Sequence, residues 1–115
     1  AYVALQNLRT LDNKKMILSM IREDYNKAFG LENTSDHLYR INVSDRRNVM
    51  SRLKSKGIVT GVHYTPLHLQ KLYAKDVSLP KSEKQGSTTL TIPFHEELQM
   101  DEISAIIDAV KYELR

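Results

Sequence analysis

Between Ala4 and Phe29, apolar side chains recur at Ala4, Leu8, Leu11, Leu18, Ile21, Tyr25 and Phe29. Steps of three, four or seven place them along one stripe of a single long helix. Met16, Ile17 and Met20 widen that stripe beyond what one small partner layer would need. No capping residue precedes Tyr2 and no initiator methionine is present, so the chain is expected to begin inside an element of a longer polypeptide. Gly30 is placed to stop the helix, and Glu32 to Asp36 reads as a polar connection.

The period then changes. Tyr39, Ile41 and Val43 alternate with Leu38, Arg40 and Asn42, the pattern of a strand with one buried face. Ser44 is a helix cap, with Asp45 in the first turn, and Val49, Met50 and Leu53 form that helix's inner face before Gly57 ends it. Ile58 to Tyr64 is β-branched and reads as a second strand. Gly61 interrupts this strand, as a glycine does at a bulge or where another group approaches closely. Thr65-Pro66 opens a short helix seated by Leu67, Leu72 and Tyr73. Lys75 to Ser87 is irregular. Leu90 and Ile92 then alternate with Thr89 and Thr91 in a third strand ended by Pro93. Ile103, Ile106, Ile107, Val110 and Leu114 make an amphipathic closing helix. The expected fold is α+β: a small, mainly antiparallel three-stranded sheet with helices packed on one face, preceded by the long helix.

Size and composition narrow the function classes. A chain of 115 residues, 41% hydrophobic and 27% charged, supports one globular domain. No apolar run is long enough to span a bilayer and no secretory pattern is present, which argues against a membrane role. Cysteine is absent, which rules out disulfides and thiolate metal sites and fits a reducing cytoplasm. The net charge of +3 is scattered, with Arg46-Arg47 the only tight arginine pair, so nucleic acid is not an expected partner.

The candidate chemistry sits in His63-Tyr64-Thr65-Pro66-Leu67-His68, where a strand gives way to a helix. Imidazoles at His63 and His68 suit hydrogen bonding to sugar hydroxyls or phosphate oxygens, although spacing alone favours two loop histidines without a role. Two histidines five apart across a proline do not share a helical face, so a zinc site finds little support, even with His95 and Glu96 added. There is no Gly-x-Ser-x-Gly elbow and no glycine-rich phosphate loop. Glu96-Glu97 and Asp101-Glu102 read as partners of a helix dipole.

The run Gly57-Ile58-Val59-Thr60-Gly61-Val62-His63-Tyr64-Thr65-Pro66-Leu67-His68 resembles the Gly-Ile-x-Thr-x-Val-His-Tyr-x-Pro-x-His signature of DegT/StrS-type nucleotide-sugar aminotransferases of fold type I. Asp36-His37-Leu38-Tyr39 and Ser87-Thr88-Thr89-Leu90-Thr91-Ile92-Pro93 resemble flanking family segments, and Ala4 to Asp12 resembles the helix leading out of the large domain. Gln85-Gly86 and Gln99 depart from the usual pattern.

The resemblance implies a carboxy-terminal small domain, residues 30–115, joined through the helix of residues 1–29 to a large domain that carries the chemistry. It implies an enzyme, homodimeric and cytoplasmic as a whole protein. That enzyme uses pyridoxal phosphate on a lysine of the large domain to move an amino group from glutamate to a keto sugar on a nucleotide diphosphate. No catalytic residue carries over to this chain; His63, Tyr64 and His68 carry over as substrate-binding residues. Two other readings are weighed beside it. One is a free-standing module binding a nucleotide or phosphorylated ligand through His63, His68 and Arg46. The other is an interaction domain pairing through the long helix.

Overall fold

The structure, a computed structural model, describes residues 1–74 and 76–114. Helix α1 (Tyr2–Phe29) is followed by strand β1 (Tyr39–Asn42), helix α2 (Arg46–Ser55), a 3-10 turn at Leu67–Leu69, helix α3 (Pro80–Thr88), strand β2 (Thr89–Ile92) and helix α4 (Met100–Glu113). The fold is α+β, as the sequence periods predict.

Only the second half of α1 is anchored. Ile21 and Tyr25 are buried and Ile17 and Phe29 pack against the core, whereas Tyr2, Val3, Leu8, Met16 and Met20 face solvent. Gly30 ends the helix in the left-handed region (φ 65°), a conformation that costs a side-chain-bearing residue and not glycine. The polar connection that follows is tied back to α1. The Asn26 side chain donates to Asn33 O and accepts from Asn33 N–H, both at 3.0 Å, and accepts the Tyr39 hydroxyl at 2.8 Å. Arg22 pairs with Asp36 across the same connection.

β1 and β2 pair antiparallel, with Tyr39 opposite Ile92, Arg40 opposite Thr91, Ile41 opposite Leu90 and Asn42 opposite Thr89. A two-stranded ribbon is not stable alone in water. Here one face, formed by Tyr39, Ile41, Leu90 and Ile92, is covered by buried residues of α1, by Val49 and Leu53 of α2, and by Ile103, Ile106 and Val110 of α4. Tyr25 lies edge-on to Tyr39 (centroids 5.0 Å) and donates its hydroxyl to Pro93 O at 3.0 Å. Burial first, and the neighbouring Tyr39 second, push the Tyr25 phenol well above its usual range.

The expected second strand is not formed, so the sheet of the described residues has two strands rather than three. Of Ile58 to Tyr64, only Gly61 pairs with the sheet, exchanging both backbone hydrogen bonds with Thr91 at 2.9 Å. Ile58 is buried, but Val59 faces solvent, Thr60 to His63 are half-buried and Tyr64 is exposed, so no alternating face fixes a longer register. The stretch read as irregular contains α3; its first residue, Lys75, lies outside the described residues, as does Arg115 at the end of the expected domain. Pro80 opens α3, and the Glu83 carboxylate accepts the Leu79 N–H at 2.8 Å. Because α3 buries none of its residues, it has no apolar stripe to betray it. The cap of α2 falls on Asp45 rather than Ser44, and its carboxylate accepts from the Asn48 side chain at 2.6 Å.

Candidate functional site

The sheet face opposite the core is where the singled-out loop lies. β1 alternates, so Arg40 and Asn42 point away from the core, and register puts them beside Thr91 and Thr89. Thr91 nevertheless has only 4% of its surface exposed, because the chain at Gly61 to His63 covers it. His63 Nδ1 lies 2.7 Å from Thr91 Oγ1. This bond fixes the ring and leaves Nε2 as its free hydrogen-bonding atom.

Gly61 makes the arrangement possible. A Cβ at that position would stand 2.6 Å from His63 Cε1 and 2.9 Å from Thr91 Oγ1. The close approach expected of a glycine in this run is therefore the folding-back of His63 over its own backbone. Gly86 plays the matching part in α3, where a Cβ would lie 2.5 Å from Pro66 Cδ. The Gln85-Gly86 departure from the family pattern thus lets Pro66 close against the helix. Between these contacts lies a cleft of about 270 Å³ lined by Arg40, His63, Tyr64, Pro66, Ser82, Gln85, Gly86 and Thr89. The His63–Tyr64 peptide is cis, and the two rings meet edge to face at 4.9 Å.

His63 and Tyr64 thus share one cleft, Tyr64 with 68% of its surface exposed. His68 does not line that cleft. Its side chain is 8% exposed and its Nε2 meets Glu83 Oε1 at 3.1 Å, tying the 3-10 turn to α3. The Leu79 N–H first, and His68 second, hold the Glu83 carboxyl below its usual range. His37 and His95 are exposed, and Glu96 pairs with Lys14 at 3.2 Å. Among the described residues no group of three His, Cys, Asp or Glu is placed to hold a metal ion. Arg46 donates to the Gly86 and Thr89 carbonyls at the end of α3, which suits the negative end of the helix dipole and occupies the guanidinium.

Sequence reasoning passed over Arg40, Thr91, Ser82 and Gln85. Strand alternation marks Arg40 and Thr91 as sharing the outward face, a signal that needs the register to be read. Ser82 and Gln85 sit on a helix without an apolar stripe and carry no such mark. Chemically the cleft offers hydrogen-bond donors, an imidazole and a guanidinium, and no carboxylate.

One helix-covered sheet face and one polar face bearing a cleft define a small α+β domain. Residues 6–111 match the DegT/DnrJ/EryC1/StrS aminotransferase family, and the chain belongs to it. It is 33% identical over 79 residues to a "pleiotropic regulatory protein" of Geobacillus stearothermophilus, covering 64% of this chain and 21% of that protein. It is 32% identical over 80 residues to the dTDP-3-amino-3,4,6-trideoxy-alpha-D-glucose transaminase of Streptomyces venezuelae, covering 65% of this chain and 21% of the relative. Among solved structures, S. venezuelae DesV in complex with a ketimine intermediate superposes with a TM-score of 0.87 at 26% identity, over 98% of this chain and 35% of that one. The chain thus spans about a fifth of the curated relatives and about a third of DesV. No helix among the described residues is long and apolar enough to cross a membrane.

Proposed function

We propose that this chain is the small domain of a pyridoxal-phosphate-dependent aminotransferase. The whole protein, a cytoplasmic homodimer, moves an amino group from glutamate to a nucleotide-linked keto sugar. Residues 1–29 lead from the catalytic domain and residues 30–115 form the small one. The observation that carries the reading is the cleft lined by His63 and Tyr64. Pyridoxal phosphate, when bound, supplies the electron sink for proton movement at the carbon bearing the amino group. The lysines of this chain do not suit its attachment. Every described lysine is exposed except Lys14, which is half-buried and paired with Glu96, and none lines the cleft. The attachment lysine is therefore assigned to polypeptide beyond this chain. The role of His63 Nε2 and the Tyr64 hydroxyl is to orient the sugar and to help exclude water. Exposed apolar side chains at Leu67, Leu69, Leu72 and Tyr73 support a second surface closing over the same loop.

The test is His63→Ala in the complete polypeptide, with the two half-reactions measured separately. The keto-sugar half-reaction is expected to slow about tenfold or more, the loss of one oriented hydrogen bond, while the glutamate half-reaction is unchanged. An unchanged keto-sugar rate removes His63 from the site.

A further inference from the structure

We infer that Thr91 is a positioning residue that sets the tautomer of His63, so that the imidazole presents Nε2–H to the cleft as a hydrogen-bond donor. The inference rests on reading His63 as a residue that orients the sugar, and it deepens that reading by naming what fixes the ring. Thr91 Oγ1 lies 2.7 Å from His63 Nδ1, and neither atom makes another hydrogen bond among the described residues.

A hydroxyl can donate to Nδ1 or accept from it, and the two choices differ in what they leave unmade. Thr91 has 4% of its surface exposed, and its backbone N–H and carbonyl are both engaged with Gly61. Arg40, directly opposite in the register, carries side-chain donors and no acceptor. The Thr89 hydroxyl, two residues back along β2, is turned to Asn42 Oδ1 and Gln85 Oε1, each at 3.1 Å. The hydrogen of the Thr91 hydroxyl therefore has one acceptor among the described residues, Nδ1. Were Nδ1 protonated instead, that hydrogen would be left unbonded at a nearly buried site, which disfavours the alternative tautomer on the order of tenfold.

The ring cannot escape this choice by turning over. Its Nδ1–Cε1 edge lies over Gly61, where a Cβ would come within 2.6 Å of Cε1 and 3.2 Å of Nδ1. A half-turn would put carbon Cδ2 in place of Nδ1 and leave the hydroxyl with no partner. In a neutral imidazole whose Nδ1 accepts, Nε2 carries the hydrogen. His63 lines the cleft, and its Nε2 has no partner among the described residues. The ligand atom it meets is thus an acceptor oxygen, such as a sugar hydroxyl or carbonyl, and not an ammonium group.

The experiment uses the complete polypeptide with ¹⁵N-labelled histidine rings, in buffer alkaline enough to keep the imidazoles neutral. Protonated and bare ring nitrogens resonate far apart, so the tautomer is read directly, the His63 signals being those lost in His63→Ala. His63 is expected to show a protonated Nε2 and a bare Nδ1. In Thr91→Val, which matches threonine in shape, the two signals are expected to draw together, and in Thr91→Ser to stay apart. Thr91→Val is also expected to slow the keto-sugar half-reaction about three- to tenfold, and more than the glutamate half-reaction, while Thr91→Ser keeps most of the rate. Added to His63→Ala it is expected to cost little further rate, because the ring it acts through is gone. A protonated Nδ1 in the parent, an unchanged spectrum in Thr91→Val, or an undiminished penalty in the His63→Ala background overturns the inference. Because the spectra need neither cofactor nor substrate, its fate separates from that of the proposed function. The expected tautomers with no aminotransfer uphold the inference and defeat the function. Aminotransfer with a protonated Nδ1 defeats only the inference.

Discussion

Replacing Gly61 by alanine tests whether the cleft is assembled as described. Gly61 does not adopt a positive φ, so alanine meets no backbone strain, and by lowering the entropy of the unfolded chain it would add about 0.4–1 kcal/mol of stability. Sterics oppose this gain. The new methyl would sit 2.6 Å from His63 Cε1 and 2.9 Å from Thr91 Oγ1, well inside contact distance for both. Relief requires the imidazole to swing away, losing its bond to Thr91, about 0.5–1.5 kcal/mol, and leaving a nearly buried hydroxyl to find another partner. Overpacking of such a site costs a further 1–3 kcal/mol or so. The balance is a destabilisation of about 1–3 kcal/mol, which for a domain of this size lowers Tm by about 4–12 °C. The assay is thermal unfolding by circular dichroism, together with the His63 ring proton shifts. In a His63→Ala background the clash with the ring is gone, and Gly61→Ala is expected to cost at least 0.5 kcal/mol or so less than in the parent. A variant with parental Tm and unmoved His63 resonances would refute the close approach. Equal costs in both backgrounds would refute the role of the ring.

Two pH effects follow from groups outside the core of that argument. The Glu83 carboxyl is held below its usual range by the Leu79 N–H and by His68, so its contribution to stability is present above its unfolded pKa and is lost as pH falls through the lower folded value. NMR titration of Glu83 is expected to give a midpoint below that of an ordinary glutamate, with α3 loosening as it protonates; an ordinary midpoint would contradict the contact. Tyr25 and Tyr39 are both pushed upward, chiefly by burial, so their contribution is full below the unfolded phenol pKa and is lost as pH rises beyond it. Absorbance at the phenolate band is expected to show two tyrosines ionising only as the fold is lost, and Tyr25→Phe, which removes the donor to Pro93 O, to cost about 0.5–1.5 kcal/mol.

The elements that bury a stripe were legible in the sequence, and those that bury none were not. α1, α2, α4 and both strands each place apolar residues at the period of their own geometry, and each appears where that period runs. α3 buries nothing; it is held by Pro80 at its start, Glu83 on the Leu79 N–H, and Arg46 at its end, contacts invisible to a periodicity. The β-branched run from Ile58 failed in the other direction. Its composition favours a strand, but it offers the core Ile58 and turns Val59 to solvent, so tertiary context outweighed propensity. At the site, His63, Tyr64 and His68 were visible as a cluster, yet the cluster divides: His63 and Tyr64 face the cleft while His68 ties a turn to α3. Five residues of separation cannot distinguish those roles, because both depend on partners, Thr91 and Glu83, that lie 28 and 15 residues downstream.

The division of labour between the two faces of the small sheet follows from how little sheet there is. Two four-residue strands cannot support themselves, so one face must be committed entirely to helices, and Tyr39, Ile41, Leu90 and Ile92 are. The other face then carries residues that tolerate water, Arg40, Asn42 and Thr89, and is open to use. What turns it from a solvated surface into a cleft is one loop held at two glycines: Gly61 brings His63 onto Thr91, and Gly86 admits Pro66 against α3. Neither contact leaves room for a methyl group, so the imidazole of His63 and the ring of Pro66 are set close against backbone. Rigid placement of that kind adds nothing to the burial of a core, where a half-buried strand would have done as well. Its consequence is preorganisation: a ligand of the proposed site would meet the His63 imidazole already in position and lose less freedom on binding than it would on a mobile loop.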